Sequence, residues 1–469
     1  METGIRNRKE GLTLTEKKSF VTDFTSGPIA SSLLRFAAPL FLASLLQAVY
    51  NMVDMVIVGH VMGKVGLSAV SVGGDLVNFL TFIAMGFSNA GQVIISQYLG
   101  ARQREKISRF VAVLFSFLLF CALALGLLFF LLRVPLLRIM NTPAEAWTEA
   151  YHYMTICLCG LVFIFGYNAS SAVLRGLGDS QHPFLFIGIA SVTNVILDLL
   201  FVMGLGMGAG GAALATVISQ AFSFVCCAVL VIRRRDLFGI SFSLSDFLKP
   251  DPILLEKLLK LGVPMALKSM SVQVSKLFVN SFVNSYGVAV SAFAGIANKI
   301  AIISNMLSSA LNTSGSTMIG QNLGAKNYER VPRIIRTVLL LSLAIGTVLS
   351  AVLVLFPAQL FSIFTNDPDV ISIGLKYIPI GVLLFYGAAL RTPANALING
   401  SGNYRVNLLC AILDAVVMRL GLALLFGLAF GMRHMGFWLG DALAGYTPFV
   451  IFLFFYFSGK WRKNIVEGK

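Results

Sequence analysis

The chain alternates between long apolar runs and short polar segments. The runs are continuous rather than alternating in polarity, and they are rich in Leu, Ala, Phe and Gly, which predicts helices rather than the strands of a membrane barrel. An α-helix needs about 20 apolar residues to cross a bilayer. We therefore predict an all-α polytopic membrane protein with twelve transmembrane helices, at 33–59, 66–97, 108–133, 147–174, 182–205, 209–233, 257–284, 288–320, 333–357, 370–398, 404–430 and 434–458.

Three pairs of short segments repeat at a nearly constant spacing. They are ISQYLGARQREKI (95–107) with IGQNLGAKNYERV (319–331), LLRFAAP (ending at Pro39) with LLKLGVP (ending at Pro264), and AVLRGLGD (172–179) with ALINGSGN (396–403). Recurrence at one spacing is typical of an internal duplication. We predict an N-terminal bundle of six helices at 1–240, the N-lobe, and a C-terminal bundle of six helices at 241–469, the C-lobe.

An even number of helices in each copy determines how the copies are related. The second copy must enter the membrane in the same orientation as the first, so a pseudo-two-fold axis along the membrane normal relates the bundles and a cleft lies between them. This arrangement is typical of a transporter that works by alternating access, and it is a poor one for a membrane enzyme.

Only 12% of the residues are charged, against 57% hydrophobic, and the net charge is +15. The basic residues cluster in alternate loops, which indicates the positive-inside pattern of a multi-pass cell-membrane protein with both termini cytoplasmic, rather than nucleic-acid binding. The polar start of the chain predicts no cleaved signal peptide. The clusters are Arg6, Arg8, Lys9, Lys17 and Lys18; Arg102, Arg104, Lys106 and Arg109; Arg233, Arg234 and Arg235; Lys326, Arg330, Arg333 and Arg336; and Lys460, Arg462 and Lys463.

Catalytic and cofactor chemistry leaves little trace in the sequence. All six cysteines lie in apolar runs, where small buried hydrophobes are the simplest interpretation. The four histidines are widely separated, without the spacing of transition-metal ligands. No Gly-rich phosphate loop with a following Lys-Ser/Thr is present. We expect no cofactor and no transition metal, and an integral membrane enzyme is the less favoured alternative.

Two acids lie inside predicted helices of the N-lobe. Gln47, Asn51 and Asp54 are spaced to share one face of the first helix, and Asn194 and Asp198 share a face of the fifth. A charge at bilayer depth is costly and marks a cavity or a partner. Two carboxylates with amides could bind Na⁺ or share protons. The alternative is that each acid is a structural hydrogen-bond acceptor for a neighbouring helix.

The C-lobe does not repeat these acids. Asp54 and Asp198 correspond to Val279 and Leu422, so the hypothesis places ion coupling in the N-lobe alone. Asp414 and Arg419 are about 140° apart around an α-helix, so we do not expect them to pair. Interhelix salt bridges and substrate contacts both remain open for the C-lobe's own polar residues, which are Lys268, Lys276, Lys299, Asp414, Arg419 and Asp441.

The two LGA turns end the second and eighth helices. We predict that Gly100 and Gly324 end these helices and act as paired cytoplasmic hinges, with the neighbouring bases held by anionic lipid. The alternative is that they only cap helices and satisfy insertion topology. Pro39 removes one backbone hydrogen bond and makes bending of the first helix easier.

The chain resembles the multidrug and toxic compound extrusion (MATE) family of secondary transporters. The resemblance rests on QAVYNMVDMVIVG, ISQYLGARQREK, LRGLGDSQ, NVILDLLFVMGLGMGAGGAALATVISQ and the prolines that open helices one and seven, and it covers essentially the whole chain. It implies efflux of amphipathic, often cationic compounds, driven by inward Na⁺ or H⁺. A lipid-linked oligosaccharide flippase of the same superfamily is the alternative, and the lysines of helices seven and eight keep it open.

The resemblance also implies a coupling-ion site in the N-lobe. It carries over onto Gln47, Asp54, Tyr153, Asn194, Asp198 and Thr216, with Ser171 at a position where the family usually has Asn. The acid that some members carry in helix seven is not evident, and Gln273 lies nearest to it. We expect a small-molecule substrate, contact with membrane lipid, no nucleic acid and a monomer.

Overall fold

The computed structural model describes residues 22–233, 235 and 244–463. The basic residues before residue 22, Arg234, and the predicted boundary between the lobes at 240 lie outside the described residues. Twelve helices fill the described part of the chain, and they form two six-helix bundles related by a pseudo-two-fold axis along the membrane normal.

The helices of the N-lobe follow the apolar runs closely. Ile29–Gly100 is one helical run that breaks at Gly63, whose φ of 61° is readily adopted only by glycine. Its two parts are α1 (29–62) and α2 (64–100). The others are α3 (Arg104–Leu131), α4 (Trp147–Cys159 and Leu161–Gly176, bent by 47°), α5 (Gln181–Asp198, extended by the π-helical segment Leu199–Gly204) and α6 (Gly208–Arg233).

The C-lobe repeats this plan. Its helices are α7 (Pro252–Asn284), α8 (Val288–Gly324), α9 (Arg330–Leu355), α10 (Pro368–Gly400), α11 (Tyr404–Ala429) and α12 (Arg433–Phe457). Two π-helical segments interrupt α11, at Ala411–Met418 and Leu425–Ala429. A short helix follows α3 at Arg133–Ile139, and another follows α9 at Pro357–Ser362.

Length and hydropathy select most, but not all, of these helices as membrane spans. Within the described residues, nine helices are long and apolar enough to cross a membrane, and the bent α4 makes ten. That count treats α1 and α2 as one helix, and it omits α7, which is long enough but carries charged side chains such as Lys268 and Lys276. Counted separately, the helices number twelve.

The two bundles interlock at one end. The start of α1, with Leu33 and Phe36, belongs to the hydrophobic core of the C-lobe. The start of α7, with Leu258 and Met265, belongs to the core of the N-lobe. This end also carries the turns 101–103 and 325–329, and we call it the basic end. The first and seventh helices thus begin at Ile29 and Pro252, slightly earlier than predicted, and each packs on the opposite lobe.

Candidate functional site

A polar cavity of about 500 Å³ lies mainly in the N-lobe, with Ser309, Ala310 and Thr313 of α8 on one side. Its wall includes most of the predicted coupling residues. They are Gln47, Asn51 and Asp54 from α1, Tyr153 and Ser171 from α4, and Thr216 from α6. The three residues of α1 therefore share one face, as their spacing predicts.

Asp54 is buried in this wall with only 8% of its surface exposed. Its Oδ1 atom has no hydrogen-bond partner among the described residues. On the same helix, Gln47 Nε2 donates to Tyr50 Oη over 3.5 Å, which places the tyrosine hydroxyl within the polar face. An unpaired carboxylate oxygen in a membrane interior is costly unless a cation or a proton satisfies it.

Asp198 lies behind the cavity wall, where the α-helical part of α5 ends and its π-helical part begins. It is fully buried, and neither carboxylate oxygen has a hydrogen-bond partner within the described residues. Asn194, one turn earlier, is equally buried, and both its amide atoms lack a partner there.

A small pocket shares part of its lining with the main cavity, and Asp198 lines neither of the two. Asn194 lines the small pocket, together with Tyr50, Thr216 and Gln220, which also face the main cavity. The Tyr50 hydroxyl lies close enough to Asp54 and Asp198 for the charge of either carboxylate to act on it. The structure thus gathers hydroxyl, amide and carboxylate oxygens from α1, α5 and α6 around two unpaired acids. These are hard oxygen donors, the ligand type that alkali and alkaline-earth cations prefer.

Ser171 faces the cavity, but its hydroxyl is already occupied. Arg175 Nη1 donates to Ser171 Oγ over 2.5 Å, and Arg175 Nε donates to Gln92 Oε1 over 2.8 Å. Gln92 Nε2 in turn donates to Thr317 Oγ1 over 2.6 Å. The serine therefore belongs to a chain of hydrogen bonds that connects α4 and α2 of the N-lobe to α8 of the C-lobe.

Sequence reasoning missed several residues of the cavity. Asp75 lines it from α2, although it lies inside an apolar run and meets the criterion that selected Asp54. Arg175 and Tyr50 also line it. Arg175 lies just after the end of the predicted fourth helix, and Tyr50 lies within the first apolar run. Neither residue therefore stood out in the sequence. Within the described residues, no group of three or more His, Cys, Asp or Glu side chains could hold a metal ion.

Three of the C-lobe charges form ion pairs, and one expectation about them is wrong. Arg419 Nη2 contacts Asp414 Oδ1 at 3.0 Å, and Arg419 Nη1 contacts Asp441 Oδ1. Residues five apart diverge on an α-helix, but Asp414 lies in the π-helical segment Ala411–Met418, which ends just before Arg419. Because a π-helix closes its hydrogen bonds between residues five apart, its turn is wider, and the two side chains lie closer to one face than they would on an α-helix.

The remaining C-lobe residues separate into those near this salt bridge and those far from it. Lys276 lines a cavity of about 60 Å³ with Arg419, Asp441 and Arg391, and the last of these was missed from the sequence. Lys268 donates to Asn395 Oδ1 over 2.6 Å. Lys299 is exposed, and neither it nor Gln273 lines a described cavity.

Gly100 and Gly324 mark the closest approach of the two lobes. A Cβ atom on Gly100 would lie 1.9 Å from the carbonyl oxygen of Gln321, and one on Gly324 would lie 2.0 Å from that of Gln97. The glycines are the last helical residues, as predicted, but the left-handed conformation that closes each turn belongs to Arg102 (φ 58°) and Lys326 (φ 57°). Close helix packing, rather than capping, requires glycine here.

The lobe contact begins where the cavity lining stops. On α2 the lining ends at Asn89, and the contact with α8 starts at Gln92. On α8 the lining ends at Thr313, and residues from Ser314 to Gly324 are all buried. The packed ends of α2 and α8 therefore close the cavity on the side of the basic end.

Pro39, the predicted hinge in α1, does not interrupt the helix in this structure. The first non-helical residue after it is Gly63.

A short segment before α1, residues 22–28, lies across this closed end; we call it the strap. Phe24 N–H donates to Gln321 Oε1 over 2.8 Å, and the buried Phe24 ring packs edge-on against Phe36. Arg330 donates to the carbonyl oxygens of Phe24, Ser26 and Gly27. On the other lobe, Thr22 N–H donates to the carbonyl oxygen of Leu177. The strap therefore bridges both lobes.

Comparisons with known proteins agree with this architecture. The MatE family model matches twice, at residues 39–200 and 264–426. A probable multidrug resistance protein of Bacillus subtilis (strain 168), YpnP, is 28% identical over 94% of this chain and 97% of its own length. A second from the same organism, YoeA, is 28% identical over 96% of this chain and 98% of its own.

The fold is also that of a solved transporter. A structure described as the outward-facing conformation of a multidrug resistance MATE family transporter superposes with a TM-score of 0.86 and 22% identity. It covers 95% of this chain and 99% of the other. The family model accounts for more than half of the residues, one match falls in each bundle, and the helix plan is the same. The chain belongs to the MatE family of multidrug and toxic compound extrusion transporters.

Proposed function

We propose that this protein is a cation-coupled antiporter that exports amphipathic, often cationic compounds by alternating access of the cleft between its two bundles. The observation that carries the proposal is the pair of buried acids in the N-lobe. Asp198 offers two carboxylate oxygens without a partner among the described residues, and Asp54 offers one. An inward-moving Na⁺ or H⁺ would satisfy them.

The physical argument for coupling rests on electrostatics. Two buried carboxylates in one bundle repel each other, so a conformation that leaves both ionised and unpaired is unfavourable. A cation or proton removes that cost only where the surrounding oxygens are positioned for it. Coupling requires that the ion bind one conformation better than the other, and about 5.5 kcal/mol of difference moves the population from 1:99 to 99:1.

The cavity itself supports a cationic substrate. It is about 500 Å³, large enough for a drug-sized molecule, and acids from two helices, Asp54 and Asp75, face into it. In this proposal the basic end is cytoplasmic, because its turns carry Arg102, Arg104, Lys326 and Arg330. The closed lobe contact then corresponds to a state sealed toward the cytoplasm, in a multi-pass monomer of the cell membrane surrounded by lipid.

Efflux of a fluorescent cation from a pump-deficient bacterium tests the proposal. Cells that express the wild-type chain should accumulate less dye than cells with empty vector, and Asp54→Asn at equal expression should accumulate as much as empty vector. Glu145→Gln removes an acid on the same lobe whose side chain is 72% exposed, and it should behave like wild type. Wild-type cells that accumulate as much dye as empty vector would refute drug export and leave the flippase alternative.

Proteoliposomes identify the ion. With purified protein, an outward Na⁺ gradient at uniform pH and an outward proton gradient without Na⁺ should be applied separately, because an antiporter takes up dye as the ion leaves. One of the two ion gradients should drive the dye into the liposomes against the concentration gradient of the dye. Equal, gradient-independent uptake under both conditions would exclude ion coupling while leaving facilitated transport intact.

A further inference from the structure

We propose that the C-lobe cavity is a binding site for a single small carboxylate, separate from the cation site of the N-lobe. Its wall carries Lys276, Arg391 and Arg419, with Asp441 as its one acid. The proposal goes beyond cation-coupled export, because it assigns an anionic ligand to the lobe that lacks the coupling acids.

The charge balance of this cavity is positive. Arg419 uses one oxygen of Asp414 and one oxygen of Asp441, so both acids in the cluster are already in salt bridges with one cation. Lys276 has no carboxylate within ion-pair distance in the described part of the chain. Arg391 contacts a neutral group, since its Nη2 donates to Asn305 Oδ1 over 3.2 Å. Three cations therefore face two carboxylates.

An excess positive charge within a membrane bundle calls for an anion. Lys276 lies on α7 and Arg391 on α10, so neither is placed at a helix end from which it would reach the lipid headgroups. Uncompensated charges at such depth are costly, and they characteristically face a partner or a water-filled cavity. Asp441 is close enough to attract Lys276, but its bond to Arg419 satisfies only part of the positive charge.

The size and lining of the cavity select the ligand. At about 60 Å³ it has room for a few water-sized groups, and so for a carboxylate but not for a whole drug molecule. Asn280 and Asn298 add amide donors to the wall. A guanidinium and an ammonium beside amide donors match the two acceptor oxygens of a carboxylate. The ligand is either the carboxylate of a transported solute or a free small anion.

Trp438 offers a direct measurement, because it lines the same cavity. The chain has three tryptophans, so a variant with Trp147→Phe and Trp461→Phe reports on Trp438 alone. Sodium acetate should replace sodium isethionate at constant pH and sodium concentration, with the purified full-length protein in detergent. We expect a saturable change in tryptophan fluorescence. Sodium chloride forms the second arm, which distinguishes a carboxylate from a spherical inorganic anion.

Two variants and one control decide the assignment. Lys276→Gln should weaken acetate binding by about tenfold or more, because it removes a charge-assisted contact. Asn280→Asp adds a negative charge with almost no change in volume, and it should have the same effect in a folded protein. Lys299→Gln, which removes an exposed lysine outside the cavity, should bind acetate like wild type.

The possible outcomes are distinct. Saturation by acetate that is lost in Lys276→Gln and Asn280→Asp but kept in Lys299→Gln supports the carboxylate site. Saturation by chloride alone overturns it in favour of a halide site. A response to neither anion, or one that is unchanged in both cavity variants, means that the cluster is a structural salt bridge only. The assay contains no transport step, so its failure is distinguishable from failure of the proposed antiport.

Discussion

The two lobes share one helix plan but treat buried acids in opposite ways. In the N-lobe, Asp54 and Asp198 keep carboxylate oxygens that have no hydrogen-bond partner within the described residues. In the C-lobe, Asp414 and Asp441 are both held by Arg419. An acid that is paired within the protein has its charge compensated without any bound ion. An acid without a partner responds to whatever cation or proton arrives.

This difference separates acids whose charge is not compensated within the protein from acids that an ion pair holds in place. Breaking a buried ion pair leaves an uncompensated charge and is strongly destabilising, so the C-lobe cluster resists change. The N-lobe acids carry that cost already, and in the proposed function an incoming ion would relieve it. Under the proposed function, the hydrogen bonding of these four acids therefore assigns ion coupling to the N-lobe and the buried salt bridges to the C-lobe.

The largest expected effect is on transport. Asp54→Asn and Asp198→Asn keep the shape of the side chains and remove the charge, so each should insert normally and fail to concentrate dye against its gradient. The double variant should be little worse than either single variant, because both acids act as one site. Uptake by everted vesicles at matched expression is the measurement. Active uptake by either single variant would move the coupling site elsewhere, with Asp414 and Asp441 as the next candidates.

The second prediction concerns stability and has opposite signs in the two lobes. Arg419→Met leaves two buried carboxylates unpaired and should lower the free energy of unfolding by about 3–5 kcal/mol. Asp198→Asn removes a buried charge without a partner, and it should leave stability unchanged or raise it. Thermal unfolding of the purified proteins in detergent compares them. Equal losses in both variants would mean that Asp198 has a partner in solution and that the contrast between the lobes is false.

The third prediction uses the ion as a ligand. If Na⁺ binds at Asp54 and Asp198, it should stabilise the folded protein by about 2.7 kcal/mol at 100 times its dissociation constant. Melting temperatures in NaCl and in KCl at equal ionic strength measure this, and Asp198→Asn should abolish the difference. Arg419→Met should keep it. A wild-type protein that responds to pH but equally to both salts would assign the site to protons.

Much of the fold could be predicted from the apolar pattern. Twelve runs of membrane-spanning length and three repeated segments suffice, because every spanning backbone must satisfy its own hydrogen bonds and helices do so locally. The starts of α1 and α7 are among the bounds that the pattern misplaced, by four and five residues. Their first turns pack on the opposite lobe, so burial there depends on a tertiary contact that hydropathy does not register.

The sites were less accessible to sequence reasoning. Asp54 and Asp198 stand out because acids are rare in apolar runs, and the same signal would have found Asp75. The pairing of Asp414 with Arg419 was excluded wrongly, because it depends on a π-helical segment that leaves no mark in residue spacing. Gly100 and Gly324 were located correctly, but the need for glycine there comes from the other lobe's backbone, which is a tertiary contact.

The smallest expected effect concerns the strap and its counterpart on the other lobe. The strap binds the C-lobe through several hydrogen bonds, three of them from Arg330. Ahead of α7, the equivalent contact to the N-lobe includes one hydrogen bond from Ser116 Oγ to the carbonyl oxygen of Phe247. Between described residues, the strap makes more hydrogen bonds at the closed end than this one.

Arg330→Gln should therefore loosen the closed end by about 1 kcal/mol, whereas Ser116→Ala should have a smaller effect. Single cysteines at Gln103 and Asn327, in a background without other cysteines, report on this end. Both should be labelled by a membrane-impermeant maleimide from the cytoplasmic side only. Position 327 lies beside the strap, since Asn327 contacts Thr25 in the wild-type chain, so a cysteine there should be labelled faster in Arg330→Gln, while labelling at position 103 should not change. Labelling of one position from outside would overturn the parallel orientation of the repeats. Equal labelling rates at position 327 in the Arg330→Gln variant and its parent would show that the strap does not hold the lobes together.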